Sequence, residues 1–261
     1  MQKETMLKEF AIKTAKKAGS FLLKHFKKDS SLIGKRGLSK EITTMYDLES
    51  DKIIVNAIKT KYPEHSIIAE ESGDDIKPGK YTWIIDSLDG SSNYANGNPF
   101  FAVSIALMKE NELYLGVIYS PALGELYFAQ KGKGAFLNNK RIHTSKTDST
   151  SNAYVVTCEG GEKNTKRITK LYSNILPYVK DMRKLGSAAN ELGFVASGRA
   201  DAYVTLNIFN YDVAAGILLV REAGGRATDY KGKPWDAKQA DLIASNKKLH
   251  DEILNKAKNK I

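Results

Sequence analysis

The sequence predicts an α+β protein of layered helices and sheets, and three observations carry that expectation. Apolar residues over Leu7–Phe26 recur at helical spacing. Between Phe100 and Asn139, short β-like runs joined by turns read as a meander. Beyond that point strands and helices come in mixed order, which is not a strict βαβ repeat. With 261 residues, 42% of them hydrophobic and 27% charged, the chain can bury a sizeable core and is not a disordered one.

The first helix places Leu7, Phe10, Ala11, Ala15, Ala18, Phe21 and Leu22 on one face and crowds lysines on the other, as expected of a solvated face on a core-packing helix. A second helix is expected over Thr44–Lys61, capped by Thr43 or Thr44 and stopped before Pro63. Two β-like runs follow, His65–Ala69 and Tyr81–Asp86, separated by the loop Glu70–Lys80. The meander comprises Phe100–Met108, Leu113–Tyr119 and Glu125–Ala129, and Gly132–Asn139 continues it. Thr144–Asn152 is polar throughout and marks the boundary between halves 1–150 and 151–261. Then come a strand at Ala153–Thr157, a helix at Thr165–Leu176 and a helix at Ser187–Ser197 closed by Gly198. A strand at Ala202–Leu206 and a helix at Tyr211–Glu222, ended by Gly224-Gly225, precede a charged, peripheral helical tail from Asn246.

Forty Lys and Arg against 30 Asp and Glu give a net charge of +10, which favours anionic partners without choosing among nucleic acid, membrane and metabolite. The excess is uneven: Tyr62–Gly90 holds seven acidic residues and two basic ones. A single cysteine, Cys158, cannot form an internal disulfide. The four histidines are scattered, which argues against zinc. No apolar run reaches the roughly 18 residues of a spanning helix, and the charged N-terminus is unlike a secretory signal, so a cytoplasmic protein is expected. P-loop, dinucleotide and GxSxG patterns are all missing.

The acidic island carries the chemistry. Glu70 follows one β-like run, Asp86 ends the next, and Asp89 lies three residues on. Clustered carboxylates repel one another, and an all-oxygen donor set suits Mg²⁺ or another hard cation. Gly90, Ser91 and Ser92 follow at an expected helix start, where backbone N–H groups and hydroxyls suit a phosphate. As ordinary turn and cap residues these would be unremarked, and Asp212 could likewise be a simple N-cap.

Trp83-Ile84-Ile85-Asp86-Ser87-Leu88-Asp89-Gly90-Ser91-Ser92-Asn93-Tyr94 resembles W-[IV]-x-D-P-[IL]-D-G-T-x-N-[FY] of the inositol monophosphatase family. Thr44–Asp47 is similar to its T-x-x-D, Ile68–Gly73 to its E-E-S-G loop, and Tyr211–Gly216 with Glu222–Gly225 to W-D-x-A-A-G…E-A-G-G. The resemblance implies a layered α/β/α/β/α sandwich that hydrolyses phosphate monoesters with two or three Mg²⁺ ions. Glu70, Asp86 and the Leu88 carbonyl would hold one ion; Asp86, Asp89 and Asp212 a second; Asp47 and Glu70 would reach a third through water. The Gly90 and Ser91 N–H groups would bind phosphate, and Ser91, bonded to Asp47 and assisted by Glu70, would deprotonate a metal-activated water for in-line attack.

Arg183, Gly186, Ser187, Ala188 and Ala189 match the family's R-x-x-G-[ST]-A-A, whose backbone lines the substrate pocket. Ser87 stands where the family has proline, which would loosen the turn; Ser91 stands for threonine and Tyr211 for tryptophan. Thr205 stands where inositol-specific members carry a glutamate, so fructose 1,6-bisphosphate rivals inositol monophosphate as substrate. Ser92 and Asn93 argue against 3′-phosphoadenosine 5′-phosphate. The resemblance also implies a homodimer and lithium sensitivity. A basic nucleic-acid-binding protein is the alternative class, and no recognisable nucleic-acid module supports it.

Overall fold

The computed structural model describes residues 2–27, 32–35, 42–158, 165–237 and 240–258. Helix α1 (Gln2–His25) buries Leu7, Ala11, Ala15, Ala18 and Leu22, while Lys13, Lys16 and Lys17 stay exposed. After a two-stranded ribbon, β1 (Leu32–Lys35) and β2 (Ile42–Thr44), helix α2 (Met45–Lys61) begins at Thr44. Its capping box is reciprocal: the Thr44 hydroxyl accepts from the Tyr46 N–H, and the Asp47 carboxylate accepts from the Thr44 N–H.

Eight strands form the larger sheet: β3 (Ser66–Ala69), β4 (Gly73–Asp75), β5 (Tyr81–Asp89), β6 (Ala102–Lys109), β7 (Glu112–Ser120), β8 (Glu125–Gln130), β9 (Gly134–Leu137) and β10 (Lys140–Ile142). All neighbours are antiparallel except β3 and β5. The smaller sheet runs in the order β12 (Asp181–Arg183), β11 (Tyr154–Thr157), β13 (Ala202–Thr205), β15 (Leu242–Ser245), β14 (Arg226–Thr228).

Alternating side chains assign the faces. Trp83, Ile85, Val103, Ile105 and Leu107 pack against α1 and α2. Ile84, Ala102 and Ala106 point the other way, to α5 (Ala188–Ala196) and α6 (Asn210–Glu222). Those helices meet Val156, Tyr203, Leu242 and Ala244 of the smaller sheet on their far side. Val155, Val204 and Ile243 turn outward to α4 (Thr165–Ile175) and α7 (His250–Ala257). Five layers result, α/β/α/β/α, as the resemblance implies. Small residues let the middle layer sit close: a Cβ on Gly116 of β7 would lie 2.8 Å from the Ala215 carbonyl oxygen, and one on Gly216 2.5 Å from Leu192.

Several elements depart from the sequence-based expectations. Leu242–Ser245, which the sequence pattern did not single out, is a fully buried interior strand, while the charged tail from Asn246 forms α7, an outer-layer helix that buries Ile253, Leu254 and Ala257 against it. The loop Glu70–Lys80 contains β4, a largely exposed strand without apolar alternation to announce it. Thr144–Asn152 is tied down: the Ser145 hydroxyl donates to Asp201 Oδ1 (2.5 Å), and Asn246 Nδ2 donates to Ser145 Oγ (2.7 Å) and the Thr147 carbonyl (3.0 Å). No helix among the described residues is long and apolar enough to cross a membrane.

His250 at the start of α7 is fully buried between the Thr228 (2.9 Å) and Ser245 (2.8 Å) hydroxyls, and burial lowers its pKa to about 4. The unfolded chain binds that proton near pH 6.5. The stabilisation is therefore present above pH 6.5 and lost as pH falls toward 4, by about 3 kcal/mol in all. Glu70, Asp86, Asp89 and Glu191, whose pKa values burial raises, change stability the opposite way over this range. The loss is therefore read as the difference between wild type and His250→Gln in urea melts, which should narrow by about 3 kcal/mol from pH 7 to 4.

Candidate functional site

The parallel pairing of β3 with β5 brings two acids together. Ala69 lies opposite Ile85, and the Glu70 N–H donates to the Ile85 carbonyl (3.2 Å), so Glu70 leaves β3 beside Asp86. β5 then runs on through Asp89, past the point where the sequence pattern ends it, because its pairing with β6 shifts between Asp86 and Asp89. Such a bulge bends a strand and re-aims its side chains. The Leu88 N–H turns back to Asp86 Oδ1 (3.0 Å). Gly90 follows with φ 90° and caps the short helix α3 (Ser91–Ala95). A Cβ there would also meet the Phe100 (3.0 Å) and Gly186 (3.1 Å) carbonyl oxygens.

Ser87 does not loosen this turn. Its hydroxyl donates to the Asp47 carbonyl (3.0 Å), and its own carbonyl accepts from the Ser50 hydroxyl (2.8 Å), so α2 clamps it from two sides. The Asp47 carboxylate is buried at the same junction. Oδ2 accepts from the Thr44 N–H and hydroxyl, and Oδ1 lies 2.5 Å from the Ser91 hydroxyl, which is also 2.9 Å from the Leu88 carbonyl oxygen. Burial raises the Asp47 pKa, partly offset by Ser91 and Thr44.

Asp212 arrives from the other half of the chain. It opens α6, where Oδ2 accepts from the Phe209 N–H (3.3 Å), and the Ser104 hydroxyl of β6 donates to the Tyr211 carbonyl (3.4 Å). Ser104 is the cross-strand partner of Asp86, which sets the start of α6 over that acid. Among the described residues, Glu70, Asp86 and Asp212 each bring a carboxylate oxygen within 4.8 Å of the others. Burial pushes the Glu70 and Asp86 pKa values well above the usual carboxylate range. The next causes are the charge of Asp212 on Glu70 and that of Glu70 on Asp86.

Asp89 stands outside this trio. Its carboxylate sits on the N-terminus of α5, accepting from the Ser187 hydroxyl and from the Ala188 (3.1 Å) and Ala189 (2.8 Å) N–H groups. Burial raises its pKa to about 6 against the pull of those donors. Of the pocket residues expected from the sequence, Gly186, Ser187 and Ala188 adjoin Asp89 and Gly90. Arg183 is exposed and paired with Asp181. Thr205 is fully buried, and its hydroxyl donates to the Cys158 carbonyl (3.0 Å), so it offers no group to a ligand.

Two residues that sequence reasoning missed hold the 185–187 segment. Asn93 Nδ2 lies 2.8 Å from the Leu185 carbonyl oxygen and 3.2 Å from that of Gly186. Glu191, fully buried, accepts from the Leu185 (2.7 Å) and Gly186 (3.2 Å) N–H groups through one oxygen, while its other oxygen has no hydrogen-bond partner. Burial raises its pKa well above the usual carboxylate range, and the charge of Asp89 adds to that shift against the pull of the Leu185 and Gly186 N–H groups. An acid one turn beyond the N-cap Ser187 was the available signal. Glu222 is similar: it accepts from the Gly132 and Gly134 N–H groups (both 2.8 Å), tying α6 to the β8–β9 turn.

Carboxylates that repel one another in so dry a place call for a hard cation. A five-layer sandwich that gathers them where its two halves meet has the build of a metal-dependent phosphatase. Residues 3–261 match the inositol monophosphatase family, and the chain belongs to that family as a phosphate monoester hydrolase. It is 37% identical over 247 residues to a fructose-1,6-bisphosphatase/inositol-1-monophosphatase of Thermotoga maritima, covering 94% of this chain and 93% of the relative. Human inositol monophosphatase 1 is 34% identical over 257 residues, with 95% and 92% covered. The crystal structure of extragenic suppressor protein suhB from Bartonella henselae superimposes with a TM-score of 0.91 at 32% identity, covering 98% of this chain and all of that one (100%).

Replacing Glu191 by leucine removes the acceptor from two backbone N–H groups, which should cost roughly 2–4 kcal/mol. Glu191→Gln keeps an acceptor in place. Thermal denaturation should therefore show a clear loss for the leucine variant and near wild-type stability for glutamine.

Proposed function

We propose that this enzyme hydrolyses inositol monophosphate or a related sugar or polyol phosphate with Mg²⁺ as cofactor. The observation that carries the proposal is the trio Glu70, Asp86 and Asp212, an all-oxygen donor set that among the described residues has no lysine or arginine paired with Glu70 or Asp86. With the Leu88 carbonyl these residues would hold the first ions, and Asp89 would reach a second through whichever lone pairs its helix contacts leave. Bound Mg²⁺ supplies charge neutralisation for the phosphoryl group and the departing alkoxide, and acidifies water.

The chain's own groups do the rest. The Gly90 and Ser91 N–H groups hold the phosphate. Ser91, donating to Asp47 Oδ1 at 2.5 Å, turns its oxygen lone pairs toward the attacking water, takes its proton and passes its own to Asp47. Burial makes Asp47 a better acceptor than an exposed carboxylate, and Glu70 assists from beside Asp86. The Gly186–Ala188 backbone and Arg183 border the leaving group. A second reading, fructose 1,6-bisphosphate, is supported by the inward-turned Thr205, which presents no polar group to inositol hydroxyls. It is also supported by the double name of the Thermotoga relative. Specificity constants for the two substrates and 3′-phosphoadenosine 5′-phosphate rank the alternatives.

Phosphate release from inositol 1-phosphate should require Mg²⁺, stop in EDTA and fall at least about 10³-fold in Asp86→Asn; full activity in EDTA would overturn the proposal. Protons compete with the cation for carboxyls of raised pKa, so the apparent Mg²⁺ affinity should fall as pH drops below about 6, measured by metal titration of the rate. Lithium inhibition and a dimer by light scattering are further expectations.

The segments 1–150 and 151–261 are proposed to unfold as one unit, because α6 of the second packs on the larger sheet of the first. Each segment holds one of the two tryptophans, Trp83 and Trp235, both buried. Trp83→Phe and Trp235→Phe should report the same urea midpoint by fluorescence.

A further inference from the structure

We propose that Phe209, backed by Tyr211, is a stacking platform for the organic half of the substrate, selecting phosphate esters of ring alcohols over those of open-chain alcohols. This rests on the phosphatase reading above and adds the shape of the leaving group.

Phe209 stands where the chain enters α6, and its backbone N–H donates to Asp212 Oδ2 (3.3 Å), which places its backbone beside one member of the acid trio. The residue is 45% exposed. It stacks on Tyr211 with centroids 5.1 Å apart and planes 15° from parallel. Tyr211 is half-buried against the central core, so its ring is a fixed backing and the outer face of Phe209 is presented to solvent. Tyr178, also exposed, differs: the Lys256 ammonium covers it at 3.9 Å.

The surroundings leave the organic half few other supports. On the α2 side the site is closed by Asp47, Ser87 and Ser91, which bond to one another. Toward the smaller sheet, the Thr205 hydroxyl is turned to the Cys158 carbonyl and the Asn207 N–H to Asp241 (2.9 Å). Between the Gly186–Ala188 backbone, which adjoins Gly90 and Asp89, and the start of α6, Phe209 is an exposed apolar surface beside Asp212 for the organic half of an ester held by its phosphate. A ring alcohol in a chair form presents a face of axial C–H bonds that packs on the negative face of an aromatic ring. An open chain offers a comparable face only after freezing several torsions.

The test compares inositol 1-phosphate with glycerol 2-phosphate at saturating Mg²⁺, in wild type and in Phe209→Ala, Phe209→Leu and Phe209→Tyr. The backbone N–H on Asp212 is retained in all three. The ratio of kcat/KM, ring over open chain, should fall about tenfold in the alanine and leucine variants, chiefly through KM, and stay near wild type in the tyrosine variant. An unchanged ratio in Phe209→Ala, or full retention by leucine, overturns the platform while Mg²⁺-dependent hydrolysis of glycerol 2-phosphate leaves the phosphatase reading standing. A wild type that hydrolyses neither ester removes both.

Discussion

Mutual repulsion among buried carboxylates is the constraint on which this structure turns. Asp86 and Asp89 are buried and Glu70 and Asp212 half-buried beside them, and burial is the largest cause of the raised pKa values of the three for which a shift is resolved. Nothing intrinsic to these side chains would bring them together. The backbone forces the meeting: a parallel strand pair aligns Glu70 with Asp86, a bulge carries the chain to Asp89, and a helix start delivers Asp212. Stability that a free carboxylate would gain from water is given up for a charge density that suits a hard cation.

Holding such a junction requires the two sheets to be fastened on either side of it. Asp89 does so by accepting from the N-terminus of α5, where the helix's free N–H groups favour negative charge. Glu191 acts from inside the same helix as an acceptor for the Leu185 and Gly186 N–H groups, its pKa raised first by burial and then by the charge of Asp89. Asn93 bonds the carbonyls of the segment that Glu191 bonds by its N–H groups. Polar contacts of this kind specify one geometry only when the apolar packing allows close approach, and Gly116, Ala215 and Gly216 provide that.

Much of this was legible before any coordinates. The α1 spacing, the Thr44 cap, the meander and the acids Glu70 and Asp86 carry local signals, namely periodicity, capping chemistry or charge clustering, while Asp212 read locally as an N-cap and joined them only through the family resemblance. What escaped has non-local causes. The bulge that extends β5 to Asp89 is set by pairing with β6, which no property of Ser87 or Leu88 announces. A serine in place of proline suggests a looser turn until Ser50 and Asp47 are seen on either side of it. Leu242–Ser245 is short enough to pass for loop, and its burial comes from paired strands at both edges and packed cores on both faces. Thr205 reads as a pocket residue by position, yet its hydroxyl is claimed by a carbonyl 47 residues away.

The net charge of +10 pointed toward nucleic acid as readily as toward a small anion, and the arrangement of charge separates the two scales. Exposed lysines such as Lys13, Lys16 and Lys17 lie on α1, on the side of the larger sheet away from α6 and Asp212. Over such distances salt screens their field to a weak, general attraction for anions. The acids act over a few ångströms in a medium that screens poorly. By themselves they would turn a phosphate away. Hard cations among them would reverse the local sign, and the place least hospitable to an anion would then suit one. A protein's overall charge therefore says little about such a site, because the deciding charges are the few that desolvation has made strong.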